Sequence, residues 1–337
     1  MSMDLNLNLQ ISKELKEASI KVKEFLDEVL PIKEPKILYE ASTHLIKAGG
    51  KMLRPYLAIK ACEAVGGVME KVLPAAASIE LLHTFTLIHD DIMDDDPIRR
   101  GVPSVHVKWG LPVAIMAGDL LFAKVYKILA EKLSGVIPPK KIIKVIDILT
   151  DAAITICEGQ TFDVSFSHLE KVSEKDYIDM VSRKTSQLFK AAAEVGAIIG
   201  GGTAFQVKRL GKFAGLLGIA FQIVDDVLGL EADEKTLGKP VGSDLREGKK
   251  TILTIYAFKK AKKKQKEILF SAMRKDSSQE EILEAKKVME ELGSVEYAMA
   301  KAKKYIEKAE KQLEKLPETD AKKSLINLAN FVLKRNF

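Results

Sequence analysis

The stretch LIHDDIMDDDPIRRG, residues 87–101, sets five aspartates within seven positions and follows them with a proline and two adjacent arginines. The residues before it, LLHTFT at 81–86, begin a wide apolar stripe at helical spacing. This predicts a mostly buried helix that ends in acid. On a helix of ~3.6 residues per turn rising ~1.5 Å per residue, Asp90 and Asp94 share a face about 6 Å apart, and His83 and Thr86 fall within about 40° of Asp90. Two carboxylates so placed repel unless a cation joins them. Oxygen ligands without clustered cysteine point to a hard cation such as Mg²⁺ rather than zinc. Arg99 and Arg100 follow the turn that Pro97 enforces, and a guanidinium fork suits phosphate oxygens. The stretch therefore describes either a metal-and-phosphate site or a self-neutralising helix end, and alone it leaves both open.

Outward from this stretch, apolar residues recur at helical spacing almost everywhere and strand signals are nearly absent, so the fold class is all-α. Helix breaks fall at residues 30–35, 66–67, 96–104, 135–140, 200–203 and 229–250. None reads as a linker, so one large helical domain over 1–337 is expected, although length alone would suggest about two. Cys62 and Cys157 sit in apolar helical patterns and read as reduced core residues of an intracellular protein. A net charge of +6 with 30% charged residues is too weak and too evenly mixed to argue for nucleic acid. The N-terminus lacks the apolar core of a signal peptide, and no window reaches the ~18 apolar residues of a membrane span. A soluble, cytoplasmic protein is expected. The basic run KKAKKKQK at 259–266 reads as solvated helix faces ahead of an anionic-membrane patch.

A second acidic helix end occurs at FQIVDD, residues 221–226, with Gln222 upstream of Asp225 and Asp226 and with Lys239 and Lys249 downstream. Two such ends, each followed by cations, read as two walls of one metal–phosphate site. At this point the chain resembles the trans-isoprenyl diphosphate synthases, most closely those of the geranylgeranyl type. The resemblance covers nearly the whole chain. It rests on GGKMLRP (49–55), LLHTFTLIHDDIMD (81–94) with RRG (99–101), GD (118–119), EGQTFD (158–163), RKT (183–185), FQIVDD (221–226) and GKPVGSD (238–244), in that order.

The resemblance implies a large single-domain helical bundle of the isoprenyl synthase fold around a deep central cavity, and a homodimer. Its reaction joins an allylic diphosphate to isopentenyl diphosphate with loss of diphosphate and a proton. By the same resemblance Asp90 and Asp94 hold two Mg²⁺ and Asp225 a third, with Gln160, Asp163, Asp91 and Asp226 close behind the metals. Arg99, Lys184 and Lys239 hold the allylic diphosphate, joined by Lys249, while Thr185 and Gln222 lie beside the reacting carbons. Lys51, Arg54, His83 and Arg100 hold isopentenyl diphosphate. Leaving-group charge of this size calls for a Lewis acid and preorganised cations, and the carbocation for a water-poor cavity. One isoprene unit is ~5 Å long, close to one helical turn, so residues just before Asp90 limit product length. Phe85, Thr86 and Leu82 carry this role, Phe85 by resemblance, since it lies about 140° from Asp90 on the wheel. A twenty-carbon product is expected, with transient membrane contact at product release left open.

One position departs from the family pattern: Gly229 stands where many relatives carry the last aspartate of a DDxxD, and Asp233 is a partial substitute. Competing readings are a farnesyl or longer-chain synthase, an HD-type phosphohydrolase centred on His89 and Asp90, and a non-catalytic subunit of a heteromeric synthase. Adjacent helix residues point ~100° apart, which weakens a His89–Asp90 metal pair, and the retained first aspartate motif weakens the subunit.

Overall fold

The structure, a computed structural model of the chain, describes residues 2–167, 169, 171–231 and 242–334, with side chains from Leu9 onward except that of Ser243. Lys239 and Asp233 lie outside the described residues. Among the described residues the regular structure is helical, apart from a two-stranded ribbon in which Ile98–Arg99 pairs antiparallel with Val102–Pro103. It groups into two compact units, one of residues 1–153, 188–214 and 312–328, the other of residues 154–187, 215–311 and 329–337.

In the first unit, α1 (Ser2–Val29), α2 (Lys36–Ala48), α3 (Leu53–Glu63) and α4 (Met69–Met93) are followed, after the ribbon, by α5 (Val105–Trp109) and α6 (Leu111–Lys132). The start of α7 (Pro139–Phe166), the helix α9 (Gln187–Ile199) and the start of α10 (Ala204–Glu231) complete the elements that bear on the site. Helix α4 packs chiefly on α6, then on α3 and α1. Leu81, Leu82 and Ile88 are fully buried along it. Each such side chain contributes roughly 1.5–3 kcal/mol on leaving water.

The second unit begins at the end of α7 and continues through α8 (Glu174–Val181) into a π-helical turn, Ser182–Ser186. Ser173 and Asp176 form a capping box that starts α8, the hydroxyl accepting from the Asp176 N–H while the carboxylate accepts from the Ser173 N–H at 3.0 Å. Beyond α10 come α11 (Ser243–Arg246), α12 (Ile252–Lys260), α13 (Lys263–Ala272), α14 (Gln279–Glu291), α15 (Ser294–Leu313) and α16 (Asp320–Leu333), whose ends in sequence fall partly in the first unit.

The expected breaks at 30–35, 66–67, 96–104, 135–140 and 200–203 all separate helices. Two expectations are corrected. Cys157 is exposed, not a core residue: on α7 the buried stripe runs through 145, 149, 152, 153, 156, 159 and 160, and Cys157 lies ~100° round the helix from its centre, while Cys62 is buried as expected. Helices α4 and α10 do hold windows apolar enough to cross a membrane by length and composition. Scattered polar residues hid them from a search for unbroken apolar runs. These windows are 67% and 61% buried inside the protein, so their apolar surface is used in the core.

Candidate active site

At the end of α4 the backbone keeps helical geometry through Asp94, whose N–H donates to the Asp90 carbonyl at 2.8 Å. Asp90 and Asp94 therefore share a face as the spacing requires, and both are partly exposed. Asp91, one residue on and ~100° around, is fully buried. Arg99 donates to it from Nε at 2.7 Å and reaches Asp96 from Nη2 at 2.9 Å.

The ribbon explains why adjacent arginines face different partners. Arg100 and Gly101 are its two loop residues, and both have positive φ, 55° and 75°, as a tight hairpin turn of this hand requires. Arg99 stays on the ladder and turns to the aspartates. Arg100, strained in the left-handed region, donates instead to the Leu45 carbonyl at 2.9 Å and to Glu80 at 3.3 Å. A Cβ on Gly50 would lie 2.8 Å from the Arg100 guanidinium carbon, which accounts for the second glycine of GGK.

Beside Arg100 lies His83. Arg54, in the first turn of α3, donates to His83 Nε2 at 3.1 Å and covers the Phe189 ring at 4.5 Å. A guanidinium can only donate, so Nε2 accepts and the imidazole proton sits on Nδ1. Burial, with Arg54, Arg100 and Arg99 adding to it, holds His83 well below its ordinary 6.5. Arg54 and Arg100 against the single buried Glu80 leave this cluster net positive. Burial raises the Glu80 carboxyl, with Arg100 opposing. The unfolded chain takes up a proton on this histidine near pH 6.5 and the folded chain does not. Stability therefore falls as pH drops below that value, by up to about 1.4 kcal/mol per pH unit. Urea unfolding between pH 7.5 and 5.5 is expected to show a shallower acid loss in His83→Gln.

In the second unit the π turn carries Arg183, Lys184 and Thr185. Gly159 of α7 meets it: a Cβ there would collide with the Lys184 backbone nitrogen, so only glycine permits the approach. The wide turn sends Lys184 Nζ to Asp163 at 2.5 Å and the Thr185 hydroxyl to Gln222 Oε1 at 2.7 Å. Gln222 then donates to Asp226 at 2.8 Å, and the buried Tyr177 hydroxyl donates to the other Asp226 oxygen at 2.6 Å. Burial pushes the Asp226 carboxyl up to about 8, against these hydrogen bonds, and pushes Tyr177 well above its ordinary value. Asp225, its neighbour on α10, is exposed. Gln160 is buried.

Both aspartate pairs thus divide in the same way: one carboxylate reaches solvent, the next is buried and hydrogen-bonded locally. The structure brings together Arg54, His83 and Arg100; Asp91 and Arg99; Lys184 and Asp163; and Thr185, Gln222 and Asp226. Lys51 is exposed, and Lys249 pairs with Glu247 at 2.7 Å. Phe85 packs at a tilt on Phe122, ring centres 5.1 Å apart, and Phe122 meets Tyr126 edge-on, an aromatic ladder on α4 and α6; Leu82 is buried and the Thr86 hydroxyl donates to the His83 carbonyl.

Sequence reasoning missed Tyr177, Glu80, Asp244 and the ladder residues Phe122 and Tyr126. Only the last two left a signal, an aromatic pair at i, i+4. At Gly229 a Cβ would lie 3.1 Å from Asp244 Oδ2. Asp244 also lines a cavity of about 10 Å³ with Asp226 and Lys249, so a carboxylate does stand beside the position that lacks one.

Among the described residues no three His, Cys, Asp or Glu side chains cluster as a ready-made metal cage. The open carboxylates offer oxygen alone, which fits a hard cation that keeps water and takes further oxygens from a phosphorylated substrate.

Residues 35–292 match the sequence model of the polyprenyl synthetase family, and the chain belongs to that family. It is a prenyl-transferring enzyme. It is 47% identical over 304 residues to a geranylgeranyl diphosphate synthase of Sulfolobus acidocaldarius, covering 88% of this chain and 91% of that one. It is 42% identical to a geranylfarnesyl diphosphate synthase of Aeropyrum pernix, covering 87% and 92%. The crystal structure of geranylgeranyl pyrophosphate synthetase from Pyrococcus horikoshii superposes with a TM-score of 0.89 at 41% identity, covering 98% and 99%.

Proposed function

We propose that the chain condenses allylic diphosphates with isopentenyl diphosphate, head to tail and in trans, to form geranylgeranyl diphosphate. The observation that carries this reading is the repeated division of the aspartate pairs, each with its own set of cations nearby in a polyprenyl synthetase chain. Asp90, Asp94 and Asp225 would hold magnesium, three ions by resemblance. Bound there, the metal supplies Lewis-acid stabilisation of the departing diphosphate. Arg54, His83 through Nδ1–H, Arg100 and Lys51 hold the isopentenyl diphosphate. Lys184, Arg99, Lys239 and Lys249 hold the allylic diphosphate. Thr185 and Gln222, fixed by Asp226 and Tyr177, direct dipoles at the carbocation. The allylic C–O bond breaks with its electrons going to diphosphate, the isopentenyl double bond forms the new C–C bond, and the released diphosphate takes the proton.

We propose a single cooperative domain, because the division into two units falls inside α7, α9, α10, α15 and α16. A cytoplasmic homodimer fits the family, and Leu111, Ile115 and Met116 on α6 are 50%, 43% and 50% exposed, an apolar face for a second copy.

Incubating purified protein with isopentenyl diphosphate, each allylic starter and Mg²⁺, followed by product chromatography, tests the function. A twenty-carbon product is expected. Phosphate release without elongation would mean a phosphohydrolase, inertness a non-catalytic subunit, and a longer main product a different synthase. Phe85→Ala removes the top of the aromatic ladder and is expected to lengthen the main product by at least one isoprene unit. An unchanged product would remove Phe85 from length control.

A further inference from the structure

Every lysine of the basic run at 259–266 is exposed, as expected of solvated helix faces, and two of them also border a concave surface. A groove of about 570 Å³ in the second unit is bordered by Lys259 and Lys266 from this run, and by Lys171 and Lys250. That volume is in the range of small-molecule sites. Its walls are Ile255, Tyr256, Phe258 and Phe270. They are held in place, with Phe258 packed on Phe270 at 4.7 Å and Tyr256 stacked on Tyr297 at 4.0 Å.

The charges are lopsided. Among the described lining residues the one carboxylate, Glu174, is already taken by Lys301 at 2.5 Å and by the Tyr297 hydroxyl. Among the described residues none of the four lysines has a carboxylate within ion-pair distance. Lys250 is half-buried, and burial lowers its ammonium below the ordinary value, so an anion arriving beside it would recover lost solvation energy. The next lysine back, Lys249, lines the separate small cavity with Asp226 and Asp244, and the two cavities share no residue.

We propose that this groove binds a single amphiphile, a hydrocarbon chain ending in phosphate or diphosphate. Several cations without an ion-pair partner among the described residues call for a head of charge −2 or more, and four apolar walls call for a chain. A concave groove of this volume accommodates one molecule, whereas a bilayer needs an apolar face that projects.

The chain has one tryptophan, Trp109, in the first unit. Phe270 is 53% exposed, so Phe270→Trp combined with Trp109→Phe places the sole indole on the groove without burying new volume. Dodecyl phosphate, titrated below its aggregation threshold in EDTA, should give a saturable blue shift. Lys250→Glu should weaken it by about tenfold or more, since it replaces an ion contact with like-charge repulsion. Dodecanol, inorganic phosphate and phosphatidic acid vesicles should give no comparable shift. Equilibrium dialysis on the otherwise unaltered protein gives a second readout, the loss of one bound equivalent in Lys250→Glu. No shift, an equal shift with dodecanol, a response to vesicles alone, or binding indifferent to Lys250→Glu overturns the proposal. The indole reports the groove in metal-free protein, so the result is independent of the proposed condensation and its product length.

Discussion

Asp90→Ala is expected to lower turnover by about 10³-fold or more while the protein stays folded, a loss of about 4 kcal/mol of transition-state stabilisation. The reason is positional. Asp90 lies on the open face at the end of α4 with Asp94 one turn on, and the buried neighbour Asp91, not Asp90, carries the ion pair with Arg99. On the proposed reading, removing Asp90 takes away a ligand for the cation that the leaving diphosphate requires, while the buried Asp91–Arg99 pair stays in place. Steady-state rates at saturating Mg²⁺, with circular dichroism and urea midpoints alongside, make the comparison. Turnover within tenfold of the parent would end the metal role.

Asp91→Ala should do the reverse of this in kind, costing about 3 kcal/mol of stability through loss of the buried partner of Arg99. Its side chain is fully buried and accepts from Arg99, which would keep only Asp96 at 2.9 Å. Because Arg99 is itself partly exposed, the cost stays below that of a fully enclosed pair. Urea unfolding reads it directly. An unchanged midpoint would mean that the two members of the doublet do not divide their roles.

The fold was legible in the sequence because helices such as α4 and α10 are apolar on most sides and glycine or proline marks most of their ends. The site was legible where chemistry clusters along the chain, at 90–100 and 222–226. It was not legible where a partner comes from far away. Tyr177 meets Asp226 across 49 positions, and neither residue announces the other by spacing or type. Glu80 is similar: one carboxylate in an apolar stripe looks like an interruption until Arg100 arrives from a strained turn. Cys157 misled because an apolar neighbourhood does not fix helical phase. Paired aspartates read at first as equal members of one motif, and only their burial distinguishes them.

The wide turn at Ser182–Ser186 also changes how the surrounding pattern is to be read. An i→i+5 loop inserts one extra residue, a rotation of ~100°, between α8 and α9. Hydrophobic phase therefore slips there, and each flanking helix keeps its own register. Excising a residue from this segment would restore regular winding, bring the two registers into line, and swing Lys184 about a quarter-turn away from Asp163.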